Sequence, residues 1–286
     1  MTDRYEMGDV DIAWCPGCGN FGILNSLKNA LEELDLDPVD VVIVSGIGQA
    51  AKIPHYLRCN IYNGLHGRAL PPATAIKAVN PQLTVIAESG DGDMYGEGGN
   101  HFIHAIRRNP DIVNIVHDNM IYGLTKGQAS PTTMEGMKTT TQPDGVIVHP
   151  INPVTTALSL GAGFVARTFS RDMEFTRDLI KEAVEFKGYA LVDIFQPCVS
   201  FNKLNTFEWF EKNTYKIGND HDKKDLASAF KLALETDSLP IGVFYNNDER
   251  ESFHERLEAY RDSDQPLWKR DPNRKDLLKK EMKNLI

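Results

Sequence analysis

A chain of 286 residues is long enough for one large domain or two modest ones, and 41% hydrophobic residues permit a substantial core. A formal net charge of −9 speaks against a nucleic-acid partner, and no apolar run approaches the ~18 residues of a membrane helix. The polar, acidic start Met1-Thr2-Asp3-Arg4-Tyr5-Glu6 is unlike a secretory signal, so a cytoplasmic location is expected, with the four cysteines unpaired.

In chain order, the first feature is a CxxC turn, Trp14-Cys15-Pro16-Gly17-Cys18-Gly19, whose Pro and Gly bend the backbone so that both thiolates can face one centre. Residues 21–34 repeat apolar positions at the spacing of an amphipathic helix. Val41 to Val44 reads as a strand closed by the turn Gly46-Ile47-Gly48; Cys59 follows, and residues 71–79 read as a helix. The apolar run Leu83 to Ala87 predicts a buried strand, with Gly90-Asp91-Gly92-Asp93 close behind it. A helix from about Gly99 to Arg108 and a strand from Ile112 to Val116 lead to Asn119. Asn152 to Leu160 predicts a helix opened by Asn-Pro, Gly163 to Thr168 a strand, Phe175 to Phe186 a helix, and Ala190 to Phe195 a strand directly before Cys198. This alternation predicts an α/β fold with a doubly wound, mainly parallel sheet. After about Asn205 the pattern changes to an aromatic-rich segment (Thr206 to Phe210), a helix (Asp222 to Thr236), a strand (Leu239 to Tyr245) and a charged tail from Trp268. We therefore expect a domain over residues 1–205 and a C-terminal extension, 206–286, packing on the core or on a partner subunit. The tail reads as a solvated helix or as a docking segment.

Asp91 and Asn119, 28 residues apart, both follow strands of one βαβ unit, at the edge where open α/β sheets bind ligands. Glycines let backbone N–H groups approach a phosphate, while Asp and Asn offer hard oxygens suited to Mg²⁺ or Ca²⁺. The arrangement resembles the diphosphate-binding motif of thiamine-diphosphate (ThDP) enzymes. The cysteines alone leave structural zinc and an iron–sulfur cluster open. A thioredoxin-like motif fits less well, because no strand precedes the CxxC turn. The ThDP motif decides for iron–sulfur, since a ThDP enzyme that releases electrons needs an acceptor.

Together, Trp14 to Gly19, Ser45-Gly46-Ile47-Gly48, His66-Gly67-Arg68-Ala69-Leu70-Pro71, Gly90 to Asp93, Gly98 to His101, Asn119 to Gln128 and Gln196-Pro197-Cys198 resemble the β subunit of 2-oxoacid:ferredoxin oxidoreductases. The resemblance implies ThDP- and coenzyme A-dependent oxidative decarboxylation of a 2-oxo acid, with electrons passed through a [4Fe–4S] cluster to ferredoxin. It implies that Asp91, Asn119 and the Ile121 carbonyl hold Mg²⁺, that Gly90, Gly92 and Asp93 shape the diphosphate turn, and that Gly46, Ile47 and Gly48 form a second cofactor-facing turn. It also implies an αβ heterodimer, because the carboxylic acid that activates the aminopyrimidine belongs to a pyrimidine-binding domain for which this chain has no room. Ferredoxin-like subunits can join such complexes. A non-oxidative decarboxylase subunit and a zinc-stabilised assembly subunit are the competing readings.

His66, Arg68, Lys52, Lys126 and His55 are candidates for meeting an anionic substrate, His66 foremost. Thr125 to Gln128 reads as a loop near coenzyme A or substrate, and His149 and His221 as surface groups. One departure stands out. The family carries a cluster cysteine just after the Ser-Gly-Ile-Gly turn, where this chain has Gln49. Either Cys59 replaces it beside Cys15, Cys18 and Cys198, or the cluster is altered, with three thiolates, or absent. The count of four cysteines favours replacement.

Overall fold

Strands that are apolar along their whole length need a layer on each face, and the computed structural model supplies both. It describes residues 4–270 and 274–284; the first three residues of the polar start, and residues 271–273 and 285–286 of the charged tail, lie outside the described residues. The strands are β1 (Val41–Ser45), β2 (Asn60–Asn63), β3 (Thr84–Gly90), β4 (Ile112–Asp118), β5 (Phe164–Phe169), β6 (Tyr189–Phe195), β7 (Thr214–Lys216) and β8 (Leu239–Asn246). They form one sheet in the order β2-β1-β3-β4-β6-β5-β8-β7, parallel except where β8 runs antiparallel to β5. The helices are α1 (Asn20–Glu33), α2 (Leu70–Val79), α3 (Gly99–Arg108), α4 (Pro153–Ser159), α5 (Met173–Glu185), α6 (Phe207–Asn213), α7 (Leu226–Ala233) and α8 (Arg274–Asn284).

Helices α1 and α5 cover one face, burying Ile23, Leu27 and Leu31 with Leu179, Ile180 and Ala183 against Ile43, Ile86 and Val192. Helices α2, α3, α4 and α7 cover the other, with Leu70, Phe102, Val154 and Ala229 against Val44, Val116 and Leu191. Local chemistry sets several helix starts. Asn152 accepts from Thr155 N, Asp172 from Phe175 N, Thr206 from Trp209 N and Asp225 from Ala227 N. Helix α3 ends on Asn109 at φ +56°, a left-handed cap.

The elements predicted up to residue 195 fall where the periodicity puts them. Two strands were not legible. The edge strand β2 is exposed along its length and polar at both ends, and β7 has three residues. The segment beyond residue 205 donates β7 and β8 to the same sheet, so the sheet does not break there. It also brings Phe210, fully buried and stacked on Phe195 with ring centroids 4.7 Å apart, into a small core with Met120, Phe169 and Ile241. Within the charged tail, a short turn at Leu267–Lys269 precedes the helix α8, whose Leu278 and Met282 are exposed. Among the described residues no helix is long and apolar enough to cross a membrane.

Phe210→Ala empties a buried aromatic site, and losses of ~3–5 kcal/mol are typical of such truncations. A drop of that size in the stability from denaturant unfolding, in a single transition, is the expected outcome; two separate transitions would mean that the extension folds by itself.

Candidate cofactor and cysteine site

The loops at the carboxyl ends of β1, β3, β4 and β6 enclose a cavity of about 340 Å³, with the segment before α1 closing one side. Its wall holds Ile47, Gly48 and Gln49 after β1, Gly90 at the end of β3 and Asp91 to Asp93 after it, Asn119 and Ile121 to Thr125 after β4, and Gln196, Cys198, Ser200 and Phe201 after β6, together with Cys15 and His66.

One carboxylate gathers the turn after β1, the Gly67 turn before α2 and the end of β3. Asp93 Oδ1 accepts from the backbone N–H groups of Ile47 (3.1 Å) and Gly67 (2.7 Å), and Oδ2 accepts from the Ser89 hydroxyl (2.7 Å). A Cβ on Gly46 would lie 1.9 Å from Asp93 Oδ2, and one on Gly67 would meet the Gly98 nitrogen at 2.3 Å, so both glycines are needed for the closure. Asp93 lies on the wall, but its side chain serves to hold the turns rather than to cap a helix. Gly46 itself is turned toward Asp93 and does not line the cavity. At the next turn a Cβ on Gly92 would stand 2.2 Å from the ring of Tyr122, whose hydroxyl donates to the Gly92 carbonyl (3.1 Å).

Asp91 is 1% exposed, and burial pushes its carboxyl up to about 6. Thr132 Oγ1 lies 2.6 Å from Asp91 Oδ2 and 2.8 Å from Asp118 Oδ1. Its single proton serves one of them. Burial, then the neighbouring Asp193 and Asp91, hold the Asp118 carboxyl well above the usual range. A buried acidic wall of this kind is relieved by a cation. Asn119 is aimed by the tight turn that follows it. Its Oδ1 accepts from Ile121 N (3.0 Å), and buried Met120 between them adopts φ +57°. Thr132 and Asp118 were missed from sequence, because nothing in a Ser-Pro-Thr-Thr loop signals a return to the strand ends.

Cys15, Cys18 and Cys198 come together beside this cavity. Cys18 is mostly buried, which pushes its thiol up to about 11, and Cys198 and Cys15 are close enough to add to the shift. Ser200 donates to Cys15 Sγ (3.1 Å) and Gln196 Nε2 donates to Cys18 Sγ (3.5 Å). Gln196 also accepts from Asn119 Nδ2 (3.2 Å), so one buried amide joins the cysteine side to the acidic side. The sequence offered Gln196 only as a neighbour of Cys198.

Cys59, expected to replace the missing ligand, is not brought to this group. It precedes β2, whose Asn60 pairs with Val42, so it sits at the amino end of β1 rather than the carboxyl end. There it is packed against the core, takes a hydrogen bond from the Ile43 backbone, and lies near Glu88, while burial pushes its thiol up to about 12. A ten-residue loop back to the site was the expectation; the parallel pairing of β2 with β1 carries the chain the other way. Of the proposed substrate-binding groups, only His66 reaches the wall; Lys52, Arg68, Lys126 and His55 do not line it. Arg68 Nη1 turns back toward the His66 carbonyl at 3.4 Å. His221 is half-buried on the Phe244 carbonyl rather than a free surface group, and exposed His149 pairs with Glu135.

Beneath the site, His117 bridges two buried groups, with Nδ1 2.8 Å from Asn20 Oδ1 and Nε2 2.8 Å from Glu88 Oε1. Burial raises the Glu88 pKa, and the contact with His117 only partly offsets it.

Comparison with known proteins fits this geometry. Residues 43–194 match the family described as "Thiamine pyrophosphate enzyme, C-terminal TPP binding domain", and residues 198–262 match the family of the C-terminal part of the pyruvate ferredoxin oxidoreductase beta subunit. The chain is 46% identical over 260 residues to a 2-oxoacid:ferredoxin oxidoreductase subunit beta of a Sulfolobus species, covering 86% of this chain and 85% of the relative. It is 35% identical over 259 residues to a 2-oxoglutarate synthase subunit KorB of Archaeoglobus fulgidus, covering 90% and 92%. Among solved structures it resembles a 2-oxoglutarate:ferredoxin oxidoreductase from Magnetococcus marinus, which has 2-oxoglutarate, coenzyme A and succinyl-CoA bound. The TM-score there is 0.89 at 36% identity, covering 96% of this chain and 94% of the other.

Two expectations follow. Asp93→Ala strands two backbone donors and a hydroxyl, each costing ~1–3 kcal/mol when buried; a stability loss of at least ~3 kcal/mol in denaturant unfolding is expected, and a loss below ~1 kcal/mol would show that the loops close without it. Glu88 has a raised folded-state pKa, so its contribution to stability is present below its unfolded pKa and is lost as pH rises through the folded value. Glu88→Gln should therefore flatten the fall in stability as pH rises above the ordinary carboxyl range; an unchanged slope in denaturation midpoints would assign that fall to other groups.

Proposed function

We propose a specific reaction for a chain that belongs to the family of 2-oxoacid:ferredoxin oxidoreductase β subunits. Within that family's chemistry, oxidoreduction of a 2-oxo acid, the reading is oxidative decarboxylation to an acyl-CoA and CO₂, with electrons leaving through an iron–sulfur cluster to ferredoxin. The observation that carries it is a cavity walled on one side by Asp91, Asn119 and Ile121 and on the other by Cys15 and Cys198, with Gln196 bonded to both sides.

Asp91 and Asn119 suit Mg²⁺ as hard oxygen donors at adjacent strand ends, with the Ile121 carbonyl as a third. Gly90 and Gly92, without side chains, leave the backbone free to approach the diphosphate of ThDP. ThDP, when bound, supplies the carbanion and electron sink that a 2-oxo acid needs for loss of CO₂. His66, exposed on the wall, is the group placed to orient the carboxylate or the carbonyl of the substrate. Leu124 and Phe201 give the same wall an apolar part that excludes water from the reacting carbon. Three thiols and a buried amide oxygen without a partner, Gln49 Oε1, suit a cluster on the other side.

The acid that activates the aminopyrimidine comes from an α subunit, which completes the site. Asp91→Ala in the αβ complex should abolish Mg²⁺-dependent ThDP binding by calorimetry while thermal unfolding stays cooperative, and 2-oxo-acid-dependent ferredoxin reduction should vanish with it. Unchanged ThDP affinity would remove Asp91 from the site. Wild-type β chain without its partner should turn over nothing; decarboxylation by the pure chain would overturn the need for an α subunit. An iron-free complex that still decarboxylates would leave only non-oxidative chemistry.

A further inference from the structure

The fourth corner of a cysteine-bound cluster has two candidate ligands in this chain, and the fold separates them. Cys59 lies before Asn60, which is opposite Val42, while the cluster side of the sheet begins beyond Ser45. At ~3.3 Å per residue, Cys59 is about 13 Å along the strand direction from that edge. Its partners are Tyr5, the Ile43 backbone and Glu88, none of which lines the cavity. It is held there by β2 itself, and by the Arg58 N–H bonded to the Tyr5 carbonyl at 2.9 Å.

Gln49 has the opposite placement. It follows β1 at the carboxyl edge and lines the cavity with Cys15 and Cys198. Its backbone carbonyl accepts from Trp14 Nε1 at 2.9 Å, which ties it to the residue directly before Cys15. Trp14 is itself fixed, edge-on to Phe21 and Tyr56. The side-chain Oε1 of Gln49 is buried and has no hydrogen-bond partner. An acceptor left in that state costs ~1–3 kcal/mol, and such orphans call for a specific cause. A Lewis acid in front of the oxygen is one.

Resting on the cluster reading above, we propose that Gln49 Oε1 is the non-cysteine ligand to one iron of a [4Fe–4S] cluster whose other three irons are held by Cys15, Cys18 and Cys198, and that Cys59 is a core residue with no part in it. A neutral amide in place of a thiolate leaves the cluster one negative charge short, which raises its reduction potential, and makes that iron the one most readily lost.

The test uses the αβ complex purified without oxygen, with iron and sulfide analysis, electron paramagnetic resonance (EPR) and redox titration as readouts. Wild-type complex should carry a full cluster that is EPR-silent when oxidised, and Cys59→Ser should be indistinguishable from it. Cys15→Ser should lose most of the iron and sulfide. Gln49→Ala should lose one iron while keeping its sulfide, giving the oxidised signal of a [3Fe–4S] centre. Gln49→Cys should keep all of its iron and titrate at a more negative potential. The assignment is overturned if Cys59→Ser loses the cluster, or if Gln49→Ala keeps every iron with an unchanged potential. A wild-type complex with no iron or sulfide would instead defeat the electron-relay reading on which this one rests.

Discussion

The site depends on one buried carboxylate. Asp93 draws the turn after β1, the Gly67 turn before α2 and the end of β3 onto a single group, using two backbone N–H donors and one hydroxyl. Charge-assisted bonds of this kind are stronger than neutral ones, and removing the acceptor leaves donors with no water to turn to. The glycines at 46 and 67 follow from it: the loops can close on the carboxylate only where no Cβ stands between them. The same constraint gives the cavity its two walls, since Asp91 is two residues from Asp93 on one side and Gln49 is two residues from Ile47 on the other.

Between the two walls runs a short polar bridge. Asn119 bonds to Gln196, and Gln196 reaches Cys18 Sγ. Because Gln196 N also bonds to the Asp118 carbonyl, the bridge is an extension of the pairing of β4 with β6 rather than a loop contact. Its position is therefore set by a fully buried part of the sheet.

The fold was legible where the chain is uniform. Fully apolar strands and helical spacing located β1, β3 to β6, α1 to α5 and β8, and the turns Gly46 to Gly48 and Gly90 to Asp93 marked the edge where ligands bind. What stayed hidden has physical reasons. Asn60 to Asn63 carries little apolar signal because it is an exposed edge strand, yet it decides where Cys59 goes. Counting cysteines treats them as free to move, whereas parallel pairing fixes a direction. Thr132 and Gln196 act through hydrogen bonds to residues far away in sequence, which local pattern does not encode. Lys52, Arg68 and Lys126 sat in the right segments, but a segment near a site does not fix which way a long side chain turns.

Met120 holds an unfavourable left-handed backbone between two residues of the acidic wall, and its side chain is buried with Phe169, Phe195 and Phe210. For a non-glycine residue such a conformation costs ~1–3 kcal/mol and lasts only where the surroundings enforce it. The enforcing residues come partly from the far end of the chain, through α6. The aromatic patch thus works like a latch on a sprung hinge: it fixes the turn that sets where Asn119 and Ile121 stand. Segments that never line the cavity therefore help to set the shape of its acidic wall.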